Sequence, residues 1–111
     1  MKIKQFDIWL ANLNPSGGTE SGKTRPVVIV QTDLLNDTHI STLICPITTN
    51  VNKEIKLLRI HLKKGQINKL SDVLVDQVRA IDNKRLIKKL GQLTKEQKHD
   101  LKANLRIVFD L

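Results

Sequence analysis

Four consecutive β-branched residues, Val27, Val28, Ile29 and Val30, come almost directly after the glycine-rich run GGTESGKT at 17–24. That run satisfies the phosphate-loop pattern G-x-x-x-x-G-K-[ST] at every fixed position. A phosphate loop needs a helix immediately after its Lys and Ser/Thr, because free helix N–H groups and the positive dipole end complete the cradle. Here Arg25, Pro26 and the β-branched run demand a strand, since such side chains are stiff at χ1 and suit a pleated surface. The segment VLVD at 73–76 offers an apolar strand ending in aspartate, a pattern too common to restore a nucleotide site. ATP and GTP binding are therefore set aside, and the glycines read as a polar loop between two strands.

The rest of the chain repeats the strand signal. DIWLANL (7–13), RPVVIVQT (25–32), TLICPIT (42–48), IKLLRIHL (55–62) and DVLVDQVRAI (72–81) are short apolar or alternating runs. RPVVIVQT is apolar enough to be buried on both faces. Pro46 lacks the N–H that a central strand uses, which assigns its strand to an edge or a bulge. Gly65 and Asn68 mark a turn. One helix start is clear: Thr94 followed by Gln97 forms a capping box, and Leu101, Leu105 and Val108 recur at helical spacing. At least five strands and one terminal helix in 111 residues give a mainly β fold, a twisted sheet or small barrel forming a single domain over 1–111.

The net charge is +8, and its excess lies wholly in the second half. Residues 1–52 hold four basic and four acidic side chains, residues 53–111 fifteen and seven. Such a field attracts polyanions, though basic surfaces also serve solubility. No apolar run reaches the roughly 18 residues of a membrane span, and MKIKQFDIW is not a signal peptide. A protein free of membranes, in the cytoplasm, is expected. Cys45 is alone among Leu43, Ile44 and Ile47, as a buried structural thiol would be, and His39, His61 and His99 are widely spaced. Neither a metal nor another cofactor is expected.

DIWLANLNPSGGTESGKTRPVVIVQTD at 7–33, CPITTN at 45–50 and DQVRAIDNKRL at 76–86 together resemble the MazF/PemK family of bacterial toxin endoribonucleases, in the same order over nearly the full length. The resemblance implies an SH3-like small barrel of the CcdB/PemK type with a C-terminal α-helix. It further implies a homodimer, a metal-independent site for single-stranded RNA near the dimer interface, and a cognate antitoxin whose acidic, disordered tail fills that groove. By position, Arg25 and Thr48 match the family's catalytic residues, Gly18, Thr19, Glu20 and Ser21 match its RNA-contacting loop, and Gln77 matches another site residue. Lys23, Thr49 and Asn50 join them as candidate RNA contacts. Ser21 stands where Gln is frequent and Thr32 where Asn is common, departures that bear on which RNA sequence is cut.

RNA carries its own nucleophile, so cleavage requires a group that orients the 2′-hydroxyl, one that stabilises developing charge, and proton transfer. Arg25 suits the charge role because its donor fork matches phosphate oxygens. Thr48 suits orientation, and the general base stays unassigned. The products implied are a 2′,3′-cyclic phosphate and a 5′-hydroxyl end. Phe6, Trp9 and Phe109 are the only aromatic residues, too few for a stacking platform, so base selection falls to hydrogen bonds from loops. Two alternatives use the same fold or charge: a gyrase-poisoning toxin, whose Trp-containing tail IVFDL lacks, and a basic RNA-binding module without turnover.

Overall fold

The computed structural model describes residues 2–13 and 24–111. Among these residues the chain forms β1 (Asp7–Asn12), β2 (Thr24–Ile29), β3 (Ser41–Thr48), β4 (Arg59–Leu62), β5 (Ser71–Leu74), β6 (Arg79–Asp82), β7 (Leu86–Gln92) and α1 (Lys95–Phe109). The strands make one curled antiparallel sheet in the order β4-β5-β3-β2-β1-β7, with β6 paired to β3 outside that path.

Both sheet faces are covered, which is why β2 is apolar at successive positions. Ile8, Val28, Cys45, Ile47, Ile60 and Val73 pack on one face with Phe6, Leu93 and Leu101. Trp9, Ala11, Val27, Ile29, Ile44 and Leu86 pack on the other. Each fully buried Val or Ile contributes about 1.5–3 kcal/mol relative to its exposed state. Phe109, by contrast, is exposed.

Pro46 is not at an edge. β3 is central, and Pro46 is buried opposite Val27 of β2. Val30 N–H donates to the Leu43 carbonyl, so odd-numbered residues of β3 bond towards β2 and even-numbered ones face the other side. On that side β6 pairs as far as Ile44 and β5 takes over at Ile47. Pro46 falls in this gap, beside the 3₁₀ turn Val75–Gln77, where no ladder N–H is called for. The same turn divides the expected strand 72–81 into β5 and β6.

The expected strand over 55–62 begins only at Arg59, because Leu58 adopts φ 65°. A side chain in this left-handed region costs roughly 1–2 kcal/mol. Leu58 is held there by its N–H donating to Asn104 Oδ1 on α1 at 2.7 Å and its carbonyl accepting from Val75 N at 3.0 Å.

The capping box forms as expected: Thr94 Oγ1 accepts from Gln97 N at 3.2 Å and Gln97 Oε1 accepts from Thr94 N at 2.9 Å. Leu101, Leu105 and Val108 then face the core. Cys45 is buried, and burial first, then the negative charge of Asp76, pushes its thiol up to about 12. Such a thiol is inert and structural, since the thiolate is the reactive form.

Candidate active site

The ladder brings several polar residues into one row across neighbouring strands. Val27 of β2 lies opposite Pro46 of β3, and in a strand residues two apart share a face. Arg25 therefore leaves the face of Val27, and Thr48 leaves the same face through Pro46. Continued by two residues, that register places Arg25 beside Thr48. Arg25 is exposed and Thr48 half-buried.

The row extends across the next two strands. Thr48 pairs with Asp72 of β5, and Asp72 pairs with His61 of β4. Directly opposed residues in antiparallel strands share a face, so Thr48, Asp72 and His61 form a line of side chains. Asp72 is fully buried. Its Oδ2 accepts from Arg59 Nη1 at 3.0 Å and from Asn52 N at 3.2 Å, and its Oδ1 stands 2.6 Å from His61 Nδ1. A buried carboxylate persists only when paired and hydrogen-bonded, as here.

Beyond Thr48 the chain turns at once. Thr48 Oγ1 accepts from Asn50 N at 3.1 Å, and the Asn50 carbonyl accepts from Arg59 Nη1 at 2.9 Å. Thr49 and Asn50 are exposed. A groove of about 700 Å³, lined by Thr49, Pro26, Leu10, Lys69 and Lys88 among others, opens beside them.

A family model described as a PemK-like, MazF-like toxin of type II toxin–antitoxin systems matches residues 4–109. The chain belongs to this toxin family. It is 36% identical over 112 residues to Endoribonuclease MazF of Staphylococcus epidermidis, across 98% of this chain and 92% of that one. Among solved structures, a MazE–MazF complex from Deinococcus radiodurans aligns with TM-score 0.83 at 18% identity, over 100% of this chain and 98% of that one. Toxin MazF-mt6 of Mycobacterium tuberculosis aligns with TM-score 0.78 at 24% identity, over 95% and 97%. The curled antiparallel sheet with one C-terminal helix is the fold of these toxins.

Of the residues singled out in the sequence, Thr48, Thr49 and Asn50 are contiguous, and Arg25 enters from the neighbouring strand. Gln77 is not in this row: it ends the 3₁₀ turn after β5 and is exposed. Gly18, Thr19, Glu20, Ser21 and Lys23 lie outside the described residues. Among the described residues no group of three or more His, Cys, Asp or Glu side chains could hold a metal ion, and no helix is long and apolar enough to cross a membrane.

Asp72, Arg59 and His61 were not expected from the sequence. Two signals were there: Arg59 and His61 alternate with apolar Ile60 and Leu62, hence share a face, and Asp72 stands directly before the apolar run Val73–Val75.

Proposed function

We propose that this toxin is a metal-independent endoribonuclease that cuts single-stranded RNA by attack of the 2′-hydroxyl on the adjacent phosphorus. The bond from phosphorus to the 5′-oxygen breaks, leaving a 2′,3′-cyclic phosphate and a 5′-hydroxyl end. The observation that carries the reading is the pairing of Val27 with Pro46, a register that continued by two residues sets Arg25 and Thr48 on one face, in a chain 36% identical to a named endoribonuclease.

Arg25 stabilises charge on the phosphoryl oxygens through its fork of donors, which remains cationic at physiological pH. Thr48 accepts from the attacking hydroxyl or donates to a phosphoryl oxygen, and so orients more than it deprotonates. Gly18, Thr19, Glu20, Ser21 and Lys23, with Thr49, Asn50 and Gln77, hold the RNA, and the polar side chains among them read unstacked base edges. The basic second half supplies the long-range attraction.

The active form is a homodimer in the cytoplasm, restrained by an antitoxin whose acidic, disordered tail competes with RNA. Solved relatives include MazE–MazF complexes and an endoribonuclease bound to its cognate antitoxin, which supports the antitoxin partner.

The test replaces the 2′-hydroxyl at the cleaved position with hydrogen. Cutting at that bond should cease while neighbouring sites stay susceptible, and chelator should change nothing. Arg25→Ala should lower cleavage by about 100-fold or more, as loss of one charge-stabilising donor does. Continued cutting of the deoxy-substituted bond would exclude internal attack.

A further inference from the structure

We infer that Asp72, Arg59 and His61 are positioning residues that fix the main chain of residues 50–55, and thereby set how Thr48, Thr49 and Asn50 meet the RNA. The inference rests on the ribonuclease reading of Arg25 and Thr48.

The geometry is specific in where its bonds go. Besides bonding to one another, the three side chains hold three main-chain groups, all in one segment. Arg59 Nη1 donates to the Asn50 carbonyl at 2.9 Å, Asp72 Oδ2 accepts from Asn52 N at 3.2 Å, and His61 Nε2 lies 3.1 Å from the Ile55 carbonyl. The far end of the segment is fixed separately, at Leu58, by Asn104 of α1. These bonds use backbone atoms, so the exposed side chains of Thr49, Asn50 and Lys53 stay available to a ligand.

Stability alone does not account for such a cluster. A buried ion pair is often matched or bettered by apolar residues of similar volume, and β5 is otherwise apolar at Val73 and Leu74. What the charged residues supply is direction: three main-chain groups tied to one buried anchor that is itself the ladder partner of Thr48. A shift of Asp72 is therefore transmitted to Thr48 through the ladder and to Asn50 and Asn52 through hydrogen bonds. Misplacing reacting groups by about 1 Å is enough to lower a rate by about 100-fold.

The experiment uses the full chain as wild type and as Arg59→Ala, Arg59→Lys, Asp72→Asn and Arg25→Ala. Fragment 5′ ends from a mixed RNA pool give the cut-site preference, and a single-stranded oligonucleotide containing a preferred site gives kcat and KM. Amide exchange at Asn50 and Asn52 reports the segment, while amides of α1 and β2 report the fold. Arg59 is partly exposed, so its variants keep the fold if Asp72→Asn does not.

Arg59→Ala should lower kcat/KM by about 100-fold with much of the change in KM, broaden the cut-site preference, and speed exchange at Asn50 and Asn52 with core amides unchanged. Arg59→Lys, which can still reach one acceptor, should recover part of each. If wild type cuts, Arg25→Ala does not, and Arg59→Ala retains wild-type KM, preference and exchange, the positioning role is wrong and the ribonuclease reading survives. Wild-type protein that leaves every RNA intact overturns both.

Discussion

Thr48 and Asp72 face each other across β3 and β5, and the carboxylate of Asp72 is fully buried between donors from Arg59, His61 and the Asn52 main chain. The pairing sets a stability expectation apart from any activity. Removing the carboxylate takes the acceptor from His61 Nδ1 and Asn52 N and leaves the Arg59 guanidinium only the Asn50 carbonyl. The Arg59 and His61 side chains are 20% and 40% exposed, so water reaches them and the loss is smaller than for a fully enclosed pair. Asp72→Ala should cost about 2 kcal/mol in urea unfolding, with a coupling energy of about 1 kcal/mol to Arg59→Ala in a double-mutant cycle. A loss below about 0.5 kcal/mol, the range of an ordinary surface change, would mean these donors are not held by Asp72.

Gln97 does more than complete a cap. Its side chain accepts from Thr94 N at 2.9 Å, donates to the His61 carbonyl at 3.0 Å and meets the amide of Gln66, so it ties the helix start to β4 and to the turn before β5. Thr94→Ala removes only the hydroxyl acceptor and should cost about 1 kcal/mol. Gln97→Ala takes a partner from each of three segments, all of them in part open to water, and should cost more than the cap alone, about 2 kcal/mol. Thermal unfolding of the two variants checks the order; equal losses would reduce Gln97 to a cap residue.

Legibility from sequence followed side-chain pattern. β1, β2, β3 and α1 were readable because apolar periodicity or capping residues mark them, and Arg25 and Thr48 could be named as candidates because family motifs surround them. β7 was missed because LIKKLGQ has only Leu86 buried and carries two lysines in its middle. Its strand state is set by pairing with β1 rather than by its own composition. The split between β5 and β6 was hidden for a similar reason: VDQ in the turn has no glycine or proline to announce it. The Asp72 cluster was missed because its three members come from two strands, and only the register of β4 on β5 brings them together. No local spacing rule encodes that register.

Gly91 illustrates a residue chosen for closeness rather than for backbone freedom. A Cβ placed there would stand 2.9 Å from the Gln66 carbonyl oxygen, a backbone atom that cannot swing aside as a side chain does. Gly→Ala in a strand ordinarily gains about 0.5–1 kcal/mol from reduced unfolded-state freedom. Here the clash should outweigh that gain, because overpacking that moves backbone costs about 1–3 kcal/mol. Gly91→Ala is expected to lower the unfolding midpoint. A raised midpoint would show that the turn carrying Gln66 gives way freely.

Asp33 provides the pH-dependent case. Its Oδ1 accepts from Gln5 N at 2.7 Å and from Asn36 Nδ2 at 3.0 Å, and these bonds, the first the stronger, hold its carboxyl below the usual aspartate range despite slight opposing desolvation. A carboxyl whose folded pKa is depressed binds its proton more readily in the unfolded chain. Its contribution to stability is thus complete above the unfolded value of about 3.9 and disappears as pH falls through the folded pKa. Because Asp33 is exposed, solvent screens the effect, and the expectation is one of direction. Carboxyl NMR should give an Asp33 midpoint below 3.9, the free value of about that size. Asp33→Asn should flatten part of the acid limb of the stability curve while losing the Gln5 bond's charge assistance at neutral pH. A midpoint at or above the free value would mean that the Gln5 amide does not favour the ionised form.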